Sequence, residues 1–145
     1  MRFPLRAFAF AAVLGLGFVS APKPADASVS IAVLFDDMVS RADSVAVVTG
    51  TETKSVWEDK KIVTYTRLRI DRMVAGETLT SDAWVKTLGG IVGDVGQSVA
   101  GEPTFGPQQQ TLLFLKKVDS RPTFMVVERA QGQYPIAKDI KAGRF

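Results

Sequence analysis

The residues with the clearest chemical potential surround a cluster of glycines between positions 89 and 106. This segment contains the spacing Gly-Gly-x-x-Gly-x-x-Gly and half of the chain's 12 glycines. A phosphate-binding loop would need a helix N-terminus or a Lys-Ser/Thr pair after the last glycine. Gly96 is followed instead by Gln97-Ser98-Val99. We therefore expect tight turns and bulges in which glycine supplies a positive φ or permits a close approach.

Polar side chains in and beyond this segment are the candidate ligand-binding groups. Asp94, Gln97 and Glu102 lie within it, and Gln131 and Gln133 lie in a short glycine-containing stretch farther along the chain. Loops carried by a rigid β scaffold commonly form binding sites. We predict that these five residues contact a ligand.

Histidine and cysteine are both absent. Their absence excludes disulfides, thiolate nucleophiles, Cys/His zinc sites and a histidine general base. We expect no metal and no cofactor. Asp36-Asp37 and Glu58-Asp59 are sequence neighbours, whereas glycoside hydrolysis needs two carboxyls facing each other across a cleft. A pair brought together by folding, such as Asp94 with Glu102, stays open.

Aromatic and basic residues alternate on one predicted strand, where Tyr65, Arg67 and Arg69 share a face. Such a face on a curved sheet can bind single-stranded nucleic acid. The chain carries 18 basic and 15 acidic residues, a net charge of +3. The first 27 residues account for +2, which leaves 15 basic and 14 acidic residues, or +1. We therefore predict a solvated strand face and no nucleic-acid partner.

The N-terminus has the pattern of a signal peptide. Arg2 and Arg6 are followed by an apolar run of 13 residues, from 7 to 19, and then by the small-x-small triplet Ala25-Asp26-Ala27. A membrane-spanning helix needs about 20 apolar residues. We predict a signal peptide over 1–27, cleavage after Ala27, export to the periplasm or the medium, and no stable membrane span after cleavage. An uncleaved anchor is the alternative.

The remaining chain predicts one short helix and a series of strands. Apolar residues at helical spacing predict a helix over about 31–42 that packs on a sheet. Alternating or β-branched segments predict strands at 44–57, 62–73, 83–88, 111–117, 123–129 and 130–136. We expect a mainly β domain over 28–137, a small antiparallel β-barrel (OB-like) or sandwich with one short N-terminal helix, followed by a polar tail at 138–145.

Several stretches carry a resemblance to known proteins. The residues from Gly89 to Gln97 and the triplet Gln131-Gly132-Gln133 resemble a set of uncharacterised exported proteins of Gram-negative bacteria, of the myxobacterial type in particular. This resemblance implies export and little chemistry. The stretch from Arg41 to Val48 is more loosely similar to the first strand of netrin-like, tissue-inhibitor-type barrels, which are OB-like. Those inhibitors act through an N-terminal cysteine, so only their barrel topology transfers.

These observations favour an exported, non-enzymatic module. We expect it to bind a protein or a glycan of the cell envelope through the glycine-rich segment. Two alternatives stay open: a hydrolase that uses carboxylates or a Ser/Lys pair, and a secreted protease inhibitor.

Overall fold

A computed structural model of the chain describes residues 31–118 and 122–137. The predicted signal peptide at 1–27 and the predicted tail at 138–145 lie outside the described residues. Helix α1 comprises Phe35–Arg41, and a 3₁₀ turn comprises Arg129–Gly132. The strands are β1 (Ser44–Glu58), β2 (Lys61–Gly76), β3 (Trp84–Leu88), β4 (Gly90–Val92), β5 (Val95–Gln97), β6 (Gln110–Lys117), β7 (Thr123–Val126) and β8 (Gln133–Pro135).

The two longest strands, β1 and β2, form a hairpin closed by two charged residues. Asp59 and Lys60 form its turn with φ of 44° and 65°. A two-residue turn with positive φ at both positions has a backbone twist that matches the right-handed twist of the flanking strands. The pairing of β1 with β2 shifts register at three places, the last between Gly50 and Glu52. Such irregularities bend a strand, and the hairpin can therefore line the barrel with one half and extend past it with the other.

Five strands close into a barrel. Their order is β1-β2-β3-β7-β6, and β6 pairs back onto β1. Every pair in this ring is antiparallel except β3–β7, where Trp84 lies beside Thr123 in parallel register. Strands β7 and β8 both pair with the edge of β6 that faces away from β1, β7 near the end of β6 and β8 near its start. The predicted small, mainly antiparallel barrel is confirmed, and the closure of the ring decides against the sandwich.

The barrel interior is filled by one apolar cluster. Along β2, Thr66 and Leu68 are buried while Arg69 is exposed, which is the pattern of a strand with one face in a core. Burying one such aliphatic side chain contributes about 1.5–3 kcal/mol. The cluster consists of Ala46, Val48, Leu68, Leu79, Ala83, Val85, Leu113, Leu115, Phe124 and Val126.

Helix α1 packs on the barrel through Met38 and through Phe35, whose ring meets that of Phe114 edge-on. Met38 is buried in a second cluster with Val45, Phe114 and Val127. The prediction of a helix over 31–42 was too long, because the backbone at 31–33 is held in a different way. Gln131 donates to the carbonyl of Ile31 and accepts from the amide of Val33. None of the helices among the described residues has the length and apolarity that a membrane crossing requires.

The predicted strands at 123–129 and 130–136 needed correction. Strand β7 ends at Val126, and Glu128 and Arg129 have φ of 51° and 56°. The chain then makes the 3₁₀ turn before β8. A Cβ at Gly132 would lie 2.2 Å from the carbonyl oxygen of Val127. The turn therefore folds back so tightly that only glycine fits there, which a continuous strand would not require.

Candidate functional site

An open cleft lies between strands β2 and β3 and the glycine-rich segment. Its volume is about 480 Å³, which is within the range of small-molecule sites. We call it the barrel-mouth cleft. It is lined by Thr64, Thr66, Thr87, Leu88, Gly89, Gly90, Ile91, Gly96, Gln97, Ser98, Val99, Glu102, Pro103, Thr104 and Phe105.

Strands β4 and β5 form a small hairpin that borders this cleft. Gly89 donates its amide to the carbonyl of Ile62 at 2.8 Å and accepts from the hydroxyl of Thr64 at 2.7 Å. Gly90 has φ of 135°, and a Cβ there would lie 2.3 Å from Thr64 Oγ1 and 2.5 Å from Ser55 Oγ. The expected role of glycine, positive φ with close approach, is confirmed at this position.

Gln97 and Asp94 have different surroundings although both belong to this hairpin region. Gln97 Oε1 accepts a hydrogen bond from the amide of Ile62 at 2.7 Å. This bond fixes the returning strand to the start of β2. Asp94 is exposed in the turn between Val92 and Val95 and does not line the cleft.

Glu102 is the charged residue of the barrel-mouth cleft. Its side chain is only 9% exposed. Oε2 accepts from the amide of Leu88 at 2.9 Å, and Oε1 lies 3.4 Å from Arg129 Nε. Oε1 is the one buried side-chain nitrogen or oxygen among the described residues that has no hydrogen-bond partner. Leaving such an atom unsatisfied costs free energy, and a donor from a ligand or a water would recover it.

The two remaining predicted site residues do not line the cleft, and each binds main-chain groups. Gln133 accepts from the amide of Thr104 at 3.0 Å and donates to the carbonyl of the same residue at 2.6 Å. Gln131 holds the segment before α1, as described above. The structure therefore brings Gln97 and Glu102 together and leaves the other three apart. Ligand binding by any of the five stays a prediction.

A second groove, the outer groove, crosses the outer face of β1, β2 and β3, on the face that Tyr65 and Arg67 were predicted to share. Its volume is about 550 Å³. Cross-strand register places Tyr65 between Lys54 on β1 and Lys86 on β3, and places Arg67 beside Trp84. Alternation along β2 puts Tyr65 and Arg67 on one face, but the position of Trp84 depends on the register between β2 and β3, which no local signal gives.

The cations of this outer groove are mostly neutralised. Glu58 accepts from the Tyr65 hydroxyl at 2.5 Å and from Lys86 Nζ at 2.6 Å. The hydrogen bond to Glu58, assisted by burial, raises the pKa of Tyr65 above its ordinary value. The same acceptor raises the pKa of Lys86. Arg67 pairs with Asp82 at 2.7 Å.

Residues 31–118 and 122–137 contain no group of three or more acidic side chains close enough to hold a metal ion. The chain matches no protein-family model, and searches of curated proteins and of solved structures gave no significant match. Function must therefore be inferred from the geometry of the barrel-mouth cleft and of the outer groove.

Proposed function

We propose that the protein is an exported, non-enzymatic binding module that holds a polyhydroxylated ligand, a glycan of the cell envelope, in the barrel-mouth cleft. The observation that carries this proposal is the carboxylate of Glu102 in the lining of a cleft that hydroxyl groups also line: its buried Oε1 lacks a hydrogen-bond partner and lies 3.4 Å from Arg129 Nε. A sugar hydroxyl donates well to a carboxylate, and hydrogen bonds to charged groups are stronger than neutral ones.

The other groups of the cleft suit the same ligand. The hydroxyl of Thr64 donates to Gly89 and accepts from Ser55, and that of Thr87 donates to the carbonyl of Thr64. Each of the two threonine oxygens therefore keeps at least one lone pair for a ligand hydroxyl. Val99 and Phe105 supply apolar surface for the C–H face of a sugar ring. A few placed polar groups within an apolar lining are typical of small-molecule sites.

The connectivity of the barrel supports this proposal by analogy. We infer an OB-like barrel from the ring order β1-β2-β3-β7-β6 with a parallel β3–β7 pair. OB-folds are five-stranded barrels that bind oligonucleotides and oligosaccharides. The net charge of +1 after the predicted leader favours a sugar over a polyanion.

The hydrolase alternative has less support at this cleft. Glu102 is the one carboxylate among the described residues that line it, whereas the usual glycosidase mechanism uses two. The protease-inhibitor alternative has no particular contact in its favour. Binding is therefore the function that the lining of this cleft supports best.

The test is calorimetric titration of the purified protein with soluble oligosaccharides released from bacterial envelope polysaccharides. Glu102→Gln keeps an acceptor for the Leu88 amide and removes the charge, so we expect affinity to fall about tenfold or more, as for loss of a charge-assisted hydrogen bond. Thr87→Val should also weaken binding. Glu77→Gln makes the same chemical change at an exposed position outside the cleft and serves as the control. Equal affinities for Glu102→Gln and Glu77→Gln, with folding intact by circular dichroism, would contradict the proposal.

A further inference from the structure

The outer half of β1 has one open edge. On one side, residues from Glu52 to Glu58 pair with β2. On the other side, pairing with β6 ends at Thr49 opposite Gln110, and β4 pairs with β5 and with no part of β1. Beyond Gly50, this edge of β1 therefore has no hydrogen-bonded strand partner among the described residues, although Gly90 of β4 lies against the side chain of Ser55. Unpaired strand edges are templates for pairing with another chain.

This edge lacks several features that block such pairing. It contains no proline, and the register shift between Gly50 and Glu52 falls at Thr51, its first residue, so that Glu52 to Glu58 pair with β2 without interruption. Thr51, Glu52, Thr53 and Lys54 are all exposed. An edge lysine usually discourages association, but here a glutamate of opposite charge lies two residues away on the same face of the strand.

Glu52 and Lys54 also lack an ion-pair partner among the described residues. Neither forms an ion pair with any described residue, whereas Arg67 is bonded to Asp82 and Lys86 to Glu58. Opposite charges placed directly across two strands stabilise their pairing, and like charges destabilise it. A partner strand with a base opposite Glu52 and an acid opposite Lys54 would complement this edge.

A second copy of the chain supplies that complement in one register. In a two-fold antiparallel pair, a central residue faces its own copy. With Thr53 at the centre, Glu52 of each copy faces Lys54 of the other. With Lys54 at the centre, two lysines face each other, and with Ser55 at the centre, Glu52 faces Glu58. With Val56 at the centre, Lys54 would face Glu58, whose carboxylate already accepts hydrogen bonds from Tyr65 and Lys86.

We propose that the protein forms a two-fold symmetric dimer by antiparallel pairing of the open β1 edges, centred on Thr53, with two Glu52–Lys54 ion pairs across the interface. Residues from Thr51 to Ser55 of each copy take part. The pairing does not extend to Gly50, because β6 occupies the adjoining part of the same β1 edge, as far as Thr49. The interface is short and exposed, so the dimer is concentration-dependent and weakens as salt is added. This dimer is independent of the ligand proposed for the barrel-mouth cleft.

Sedimentation velocity of the whole purified protein over a concentration series tests the proposal. The native protein shifts from monomer to dimer mass as concentration rises. Glu52→Lys or Lys54→Glu places like charges opposite each other and should weaken the dimer at least tenfold. The double swap Glu52→Lys with Lys54→Glu restores the pairing and should restore the native dissociation constant.

Matched controls separate this contact from a general effect of charge. Lys116→Glu changes the net charge as Lys54→Glu does, at an exposed position on β6, and should leave the dissociation constant unchanged. Circular dichroism establishes that each variant keeps its fold. A protein that is monomeric throughout the series, a dimer that Lys54→Glu does not weaken, or a double swap without rescue would each overturn the proposal.

Discussion

Gln97 Oε1 lies 2.7 Å from the backbone nitrogen of Ile62 and accepts its hydrogen bond. Ile62 is fully buried, so its amide has no access to solvent. A side chain at the end of β5 therefore satisfies a donor at the start of β2, and the hairpin beside the barrel-mouth cleft is fixed to the barrel wall. The contact joins residues that are far apart in sequence and near in space.

Gln97→Ala should lower the free energy of unfolding by about 1–3 kcal/mol, because the Ile62 amide is left without a partner in a buried position. Urea denaturation measures the change. Asp94→Ala removes an exposed side chain from the same hairpin, and we expect a change within about 0.5 kcal/mol. Equal stability of the two variants would mean that the Gln97–Ile62 bond contributes nothing.

Gly90→Ala should destabilise the protein strongly. Gly90 has φ of 135°, and the new methyl group would lie 2.3 Å from Thr64 Oγ1. Strain and overpacking together predict a loss of about 2–5 kcal/mol. Gly93 has φ of 59°, and a Cβ there would meet no neighbouring atom within 4 Å, so Gly93→Ala should cost only about 1 kcal/mol. Thermal denaturation measures the loss of stability in both variants. A larger loss for Gly93→Ala than for Gly90→Ala would contradict this prediction.

Acid should destabilise the seam between β1, β2 and β6 through Asp71. Burial disfavours its charge, but hydrogen bonds from Thr49, Arg69 and Gln110 outweigh burial and lower the pKa of Asp71 below its ordinary value of 3.8. A lowered pKa contributes stability that is present above pH 3.8 and lost as pH falls through the folded-state value. Asp71→Asn should therefore flatten the fall in stability with pH in this range, as measured by urea titrations. An unchanged slope would contradict the assignment.

Tyr65 should ionise at a higher pH than its ordinary value of 10.0, because its hydroxyl is bonded to Glu58. Glu58→Gln removes the charged acceptor and should lower that pKa, as followed by the ultraviolet absorbance of tyrosinate, with Tyr65→Phe to identify the signal. The raised pKa values of Tyr65 and Lys86 contribute stability that is present below pH 10.0 and is lost as pH rises through the folded-state values. A tyrosine titration that Glu58→Gln leaves unchanged would contradict this account.

Much of the fold follows from local patterns in the sequence. Alternation along β2 predicts which of Thr66, Leu68 and Arg69 lie inside, and the charged residues around Asp59 predict the hairpin turn. Helix α1 is shorter than its apolar spacing indicates, because Gln131 binds the backbone that precedes it. The parallel β3–β7 pair joins segments separated by the glycine-rich region and β6, and no short-range signal encodes such a pairing.

The candidate site was less predictable than the fold. Sequence reasoning selected Gln97 in the glycine-rich segment, and Gln131 and Gln133 in the last predicted strand, as groups that face a ligand. It could not indicate that each amide bonds to the main chain. A primary amide offers a donor and an acceptor, as the peptide group does, so a glutamine clamps a loop as readily as it binds a ligand. Glu102 differs because one of its oxygens remains without a hydrogen bond.

Strand β1 pairs on one side with β2, the other arm of its hairpin. On its other side it pairs with β6, which lies near the opposite end of the domain in sequence. The hairpin can form within microseconds, since its two strands are joined by a two-residue turn. The contact of Val47 with Leu112 must first close a loop that contains most of the barrel. Folding of this chain is therefore expected in milliseconds to seconds, with ring closure as the slow event. Until β6 docks, the incomplete sheet exposes its apolar face, and self-association during refolding competes with closure.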